Sequence, residues 1–227
     1  MFRRDYILRL VERLVQALTR VREQTNAGDY AAAGENLDSA FLELMGAGAD
    51  EICRHSDTEL LARLTREGPT QSLPDKTRLL VALLQQAGLL HAARNRDAQS
   101  HACWLKALNL LLTLQMDDLD SELAQFIPAI DLLRDQLRDS PLPLSTLAAL
   151  WRHYERIGAY ARAEDALFIL LEEQPDNPAL VSEAKMFYER LLRQGDAALE
   201  EGNLPRDEVV AGLAELPDVV GPQTGNN

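Results

Sequence analysis

Between Leu144 and Pro178 the chain carries two runs of apolar residues spaced by threes and fours, parted by a glycine and closed by prolines. That spacing gathers side chains on one face of an α-helix and scatters them over both faces of a strand, so it decides fold class at once. Leu147, Leu150, Trp151 and Tyr154 mark the stripe of a first helix. Gly158 ends it, because glycine enters the left-handed conformation at little cost. Leu167 and Leu170 continue the stripe on a second helix, and Ala163 falls where that helix must approach the first closely. Pro175 stops the second helix, and Pro178 bars a simple continuation past Asn177. Residues 144–178 are thus predicted to form a hairpin of two helices.

The same phase returns twice upstream. From Val81 to Leu114, the residues Leu84, Ala87, Gly88 and His91 make the first-helix pattern, Asn95 marks a turn, and Ser100, Trp104 and Ala107 follow it. Earlier, Asn26-Ala27-Gly28-Asp29-Tyr30 makes a turn, followed by Ala33, Leu37 and Ala40. The turns at Gly28, Asn95 and Gly158 lie 67 and 63 residues apart. A fourth first-helix pattern, Val181, Ala184, Tyr188 and Leu191, follows Pro178 without a proper second helix, as suits the end of a stack.

Helices are expected over about 4–24 and 30–45, with a break at Gly46-Ala47-Gly48. Ser56 and Glu59 form a capping box that starts another, ended by Gly68-Pro69. Pro74 opens the next, where its missing N–H does no harm. A helix over about 97–115 pairs with it. One from Asp117 to about Arg138 is expected to be kinked or offset near Pro128. Ser140-Pro141-Leu142-Pro143 is the clearest internal break. A final long helix is expected over 177–201, closed by Gly202-Asn203, with a short helix from Pro205 to about Glu215. No segment alternates, so no sheet is predicted. Residues 1–216 read as a single helical domain and 217–227 as a disordered tail.

The formal net charge is −13, which argues against nucleic acid, because phosphate binding needs a basic surface. The balance is uneven: residues 1–22 hold six arginines against Asp5 and Glu12, giving +4 and leaving −17 elsewhere. No stretch of 18 apolar residues appears, which argues against a membrane span. Cys53 and Cys103 suggest no disulfide framework and, with no secretion signal, favour a reducing cytoplasm.

Gly46-Ala47-Gly48 lacks the third glycine of a nucleotide loop, and G-x-S-x-G does not occur. Cys53, His55, His91, His101 and Cys103 are the potential metal ligands, but His101 and Cys103 point about 200° apart on a helix. The bland reading makes Cys103 a core filler, His91 a packed helix residue and His55 a loop residue. Asp117, Asp118, Asp120 and Glu122 are read as acids at a helix start, where the helix dipole stabilises them. Trp104 and Trp151 sit at interface positions. No catalytic, cofactor-binding or metal residue is assigned and no enzyme activity is expected; a metal-binding protein or enzyme on a helical scaffold is the second alternative to a binding scaffold, after a homo-oligomer.

The basic helix over 1–26 has three readings. It packs on the first hairpin; or it pairs with its twin through Ile7, Val11, Leu14, Leu18 and Val21, a coiled-coil spacing; or it lies on anionic lipid, against which the acidic remainder argues.

The opening Asp5-Tyr6-Ile7-Leu8-Arg9 resembles the first helix of an uncharacterised bacterial family, a domain of unknown function with a D-Y-I-x-R pattern. That resemblance implies a bacterial, cytosolic helical protein and carries no functional residues. Leu147, Leu150, Tyr154, Gly158, Ala163, Leu167 and Pro175 resemble the tetratricopeptide repeat, with a period of about 34 residues. Trp151 departs from it, standing where that repeat has glycine or alanine. This second resemblance implies a right-handed superhelix of antiparallel hairpins that binds protein or peptide. First helices line the concave face there, which would expose Ser145, Ala148, Arg152 and Glu155. Arg152 and Arg156 have two readings: solvated surface arginines, which is the favoured one, or a pair that grips a carboxylate on a partner peptide.

Overall fold

In the computed structural model, which describes residues 2–66, 73–114 and 123–217 and side chains from residue 9 onward, the chain is all α, with no strand among the described residues. Its contacts gather into two compact units, Met1–Pro141 and Leu142–Asn227, dividing inside the proline-rich break.

The first unit contains α1 (Phe2–Asn26), α2 (Tyr30–Met45), α3 (Ala49–Ile52), α4 (Asp57–Arg66), α5 (Leu73–Ala93), α6 (Asp97–Thr113), a 3-10 turn (Ala124–Phe126) and α7 (Ile130–Gln136). Its pillar is α5, on which α1, α2, α4 and α6 all pack. Every residue from Leu79 to Gly88 is buried, the expected state of a helix apolar nearly all round. Leu14, Leu18 and Val21 of α1 are wholly buried, and α1 packs on α2 and α5. The stripe that matched a dimer seam is therefore covered within the unit from Leu14 onward.

The capping box at α4 is made in full. The Glu59 N–H donates to Ser56 Oγ at 3.2 Å, and the Ser56 N–H donates to Glu59 Oε2 at 2.8 Å. The structure adds detail at two breaks expected here. A short helix, α3, follows Gly46-Ala47-Gly48 directly. The helix expected to run on to Arg138 is interrupted: α7 begins only at Ile130, because Pro128 drives the preceding Ile127 to an extended ψ of 117°. The acids Asp117, Asp118, Asp120 and Glu122 lie outside the described residues, as do Gly68-Pro69 and all of the expected tail except Pro217.

The second unit contains α8 (Leu144–Arg156), α9 (Tyr160–Glu173), α10 (Pro178–Leu192), α11 (Asp196–Glu201) and α12 (Arg206–Glu215). Asn177 caps α10, accepting from the Leu180 N–H at 3.2 Å, with Pro178 in the first turn. The helix expected over 177–201 is two helices. α10 stops at Leu192, and Gly195 is extended at ψ 151° before α11. α12 then returns onto α10 as its packing partner. A Cβ at Gly212 would lie 2.6 Å from the Tyr188 hydroxyl, so only glycine lets α12 approach that ring. The same hydroxyl donates to Glu164 Oε1 at 2.7 Å, tying α10 to α9. Trp151 of α8 meets the Phe187 ring edge-on at 5.8 Å.

Three hairpins, α1–α2, α5–α6 and α8–α9, turn in the same way. Gly28, Asn95 and Gly158 have φ of 79°, 55° and 77°. The next N–H reaches back five residues each time: Asp29 to Gln24 O, Arg96 to His91 O and Ala159 to Tyr154 O, all at 2.9 Å. This is the left-handed helix stop that satisfies otherwise orphaned carbonyls. Five residues past each left-handed position stands a small buried residue, Ala33, Ser100 and Ala163.

Register also matches between helices. Seven before and nine after the left-handed residue stand Val21 and Leu37, Gly88 and Trp104, Trp151 and Leu167. In the second hairpin a Cβ on Gly88 would overlap the Trp104 indole. In the third the large residue stands on the first helix instead.

Candidate functional site

The second unit holds an open groove of about 420 Å³ lined by Arg152, Glu155, Arg156, Tyr160, Arg190, Leu191, Arg193 and Gln194. Its walls are the last turn of α8, the first residue of α9 and the end of α10. Both α8 and α10 present their C-terminal ends there. Cationic side chains suit those ends, because exposed carbonyls leave partial negative charge. Local helix chemistry thus explains why Arg156, Arg190 and Arg193 stand where they do. On α8, Arg152, Glu155 and Arg156 are spaced by three and four and so share one face.

The charges are not balanced. Arg190 grips Glu155 with two parallel bonds, Nε at 2.6 Å and Nη2 at 2.9 Å. Those bonds hold the Arg190 guanidinium charged even more firmly than usual. With Glu155 neutralised, Arg152, Arg156 and Arg193 leave a surplus of positive charge in a chain of net −13. All three are exposed. Arg156 Nη2 donates to His153 Nδ1 at 3.1 Å, which steadies one edge of the fork. Arginine forks at close quarters suit carboxylate or phosphate, which accept two parallel N–H bonds.

Of the four residues expected on the concave face, Ser145 and Arg152 are exposed, Ala148 is half-buried, and Glu155 is half-buried in its ion pair. The structure brings Arg152 and Arg156 together as read from the sequence. It adds Arg190 and Arg193, which that reading missed. Their one signal was a basic cluster in the last turn of the helix after Pro178.

The cysteine and histidine positions part company. Cys53 and Cys103 meet, sulfur to sulfur at 3.2 Å, both as free thiols. His55 instead sits between Glu51 and Glu59, at 3.6 and 3.7 Å. It borders a second open groove with Glu59, Ala62, Arg63 and Arg66, where Arg63 also faces Glu51 at 3.5 Å and the charges are nearly matched. His91 is buried in α5, and burial holds its imidazole below the ordinary value. His101 lies half-buried on α6. Among the described residues no three of His, Cys, Asp or Glu converge as metal ligands would. No described helix is long and apolar enough to cross a membrane.

No curated protein and no solved structure matches the chain. A family profile does, over residues 1–221, in agreement with the resemblance carried by the opening helix. The chain therefore belongs to the family of unknown function DUF6483.

Proposed function

We propose that the chain is a non-catalytic scaffold of tetratricopeptide type that docks an acidic protein segment in the groove of Arg152, Arg156 and Arg193. The observation that carries this reading is the uncompensated arginine surplus in an otherwise acidic molecule. The groove attracts an anionic segment at close range, while the net charge of −13 repels acidic partners that cannot reach it. The shared turn of the three hairpins supports the repeat reading, and a right-handed superhelix, a bacterial source and a reducing cytoplasm remain parts of the same proposal. Pairing through the N-terminal helix is disfavoured by the burial of Leu14, Leu18 and Val21.

Fluorescence anisotropy with labelled peptides tests it, using one peptide ending in consecutive glutamates and an isosteric glutamine control. The glutamate peptide should bind, the control should not, and affinity should fall with salt. Arg152→Glu with Arg193→Glu should abolish binding while the helical circular dichroism is kept. Equal binding of both peptides, or undiminished binding by the double variant, refutes the assignment.

A further inference from the structure

Fifty residues apart in sequence, Cys53 and Cys103 are held within hydrogen-bond distance of each other. Cys53 closes α3, its N–H bonded to the Ala49 carbonyl at 3.0 Å, and its side chain is only half-buried. Cys103 is on α6 and has 1% of its surface exposed. One turn further along α6, Lys106 donates to the His55 carbonyl at 2.6 Å and to Asp57 Oδ1 at 3.1 Å. That pair of bonds clamps α6 against the α3–α4 junction and fixes an ammonium whose charge favours the thiolate form of both cysteines.

We propose that Cys53 and Cys103 are a redox-active dithiol, with Cys53 the nucleophile toward a hydroperoxide and Cys103 the resolving thiol. The asymmetry has a physical basis. Cys103, the deeper thiol, is pushed up by its contact with Cys53 and by burial. Cys53, half-exposed, is lowered by its contact with Cys103, with burial opposing, the Lys106 ammonium assisting and the Asp50 carboxylate opposing. The half-exposed sulfur is therefore the one that carries the thiolate, which is the reactive form.

The chemistry balances. The Cys53 thiolate attacks one peroxide oxygen. The O–O bond breaks, Cys53 becomes a sulfenic acid, and the other oxygen leaves as hydroxide and takes a proton to become water. Sulfur has lost two electrons and the peroxide has gained them. The Cys103 sulfur then attacks the Cys53 sulfur. The S–S bond forms, the S–OH bond breaks, and that hydroxyl leaves as water with the proton of Cys103. The sulfurs close from 3.2 Å to a bond of about 2.05 Å, a movement that side-chain rotation and slight helix adjustment supply. A dithiol reductant restores both thiols by exchange. The product ties α3 to α6 and closes a loop containing α4 and α5.

The test treats the full-length reduced chain with hydrogen peroxide, blocks remaining thiols with iodoacetamide and reads intact mass and peptides. The wild type should lose two hydrogens, take up no alkyl group, and yield a Cys53–Cys103 linked peptide that dithiothreitol releases. Cys103→Ser should leave a sulfenic acid on Cys53 that dimedone traps, and Cys53→Ser should leave Cys103 unmodified over the same time. Lys106→Met should move the pH profile of Cys53 alkylation upward, a shift that loss of packing alone would not give. Two alkylatable thiols after peroxide, over-oxidation of Cys53 in the wild type, or chains linked to one another would each overturn the proposal.

Discussion

Gly88 and Trp104 show how much one hydrogen decides. The indole of Trp104 occupies the space where any side chain at position 88 would project. Gly88→Ala should therefore destabilise the chain by about 1–3 kcal/mol through overpacking, although alanine is the better helix former. Adding Trp104→Leu should recover much of that loss, and urea titration of the single and double variants reads the coupling. Equal losses in both would mean that the ring is not what the methyl meets. His91 gives a second prediction at this scale. Burial lowers its pKa first, Asp50 and Asp38 pull it up, and Arg96 and Arg94 push it down. Between that lowered value and the ordinary value near 6.5, the unfolded chain binds a proton that the folded chain refuses. Stability contributed by His91 is thus complete above about pH 6.5 and is lost as pH falls below it. Glu164, raised from its ordinary value first by burial, acts with the opposite sign: the stability it contributes is lost as pH rises through its raised value. Urea midpoints from pH 8 to 5.5 should fall less steeply for His91→Gln than for the wild type, and parallel slopes would clear His91 of the effect.

At the scale of elements, the hairpin turns were legible because their chemistry is local. A left-handed residue must be glycine or asparagine, and the chain has one at each of Gly28, Asn95 and Gly158. Asn95→Ala should cost about 1 kcal/mol while Asn95→Gly is tolerated, since only the former meets the Cβ penalty. Thermal melts decide this, and equal melting of the two variants would remove the turn from the argument. Other boundaries were hidden by phase. Leu191 and Leu199 are both buried and lie eight residues apart, a helical interval, so the stripe runs on across the break at Gly195. The capping box at Ser56 declared itself because both partners lie within one turn. The sulfur pair and the arginine groove did not. Each joins residues separated by 35 or more positions, Glu155 with Arg190 and Cys53 with Cys103, and single-chain periodicity holds no record of such pairings.

At the scale of the whole molecule, the division at Pro141 and Leu142 allots the features unequally. The sulfur pair and the buried pillar α5 belong to the first unit. The arginine groove and a complete hairpin with its αL turn belong to the second, which carries its own buried residues: Leu150, Trp151 and Tyr154 from α8, Leu167 and Leu170 from α9, and Phe187, Tyr188 and Leu191 from α10. Domains somewhat above 60 residues commonly fold alone when they bury a contiguous core. Residues 142–227 should therefore fold as a separate fragment, with helical circular dichroism and a cooperative thermal transition. Within it, Gly202 is the keystone between α11 and the α8–α9 turn. Its carbonyl accepts from the Ala161 N–H at 3.0 Å, and a Cβ there would lie 2.5 Å from the Gly158 carbonyl oxygen. Gly202→Ala should lower the fragment's melting temperature by several degrees, because a backbone atom cannot swing aside as a side-chain tip can. A fragment without a cooperative transition would show that the one-domain reading is the physical one and that the second core needs the first.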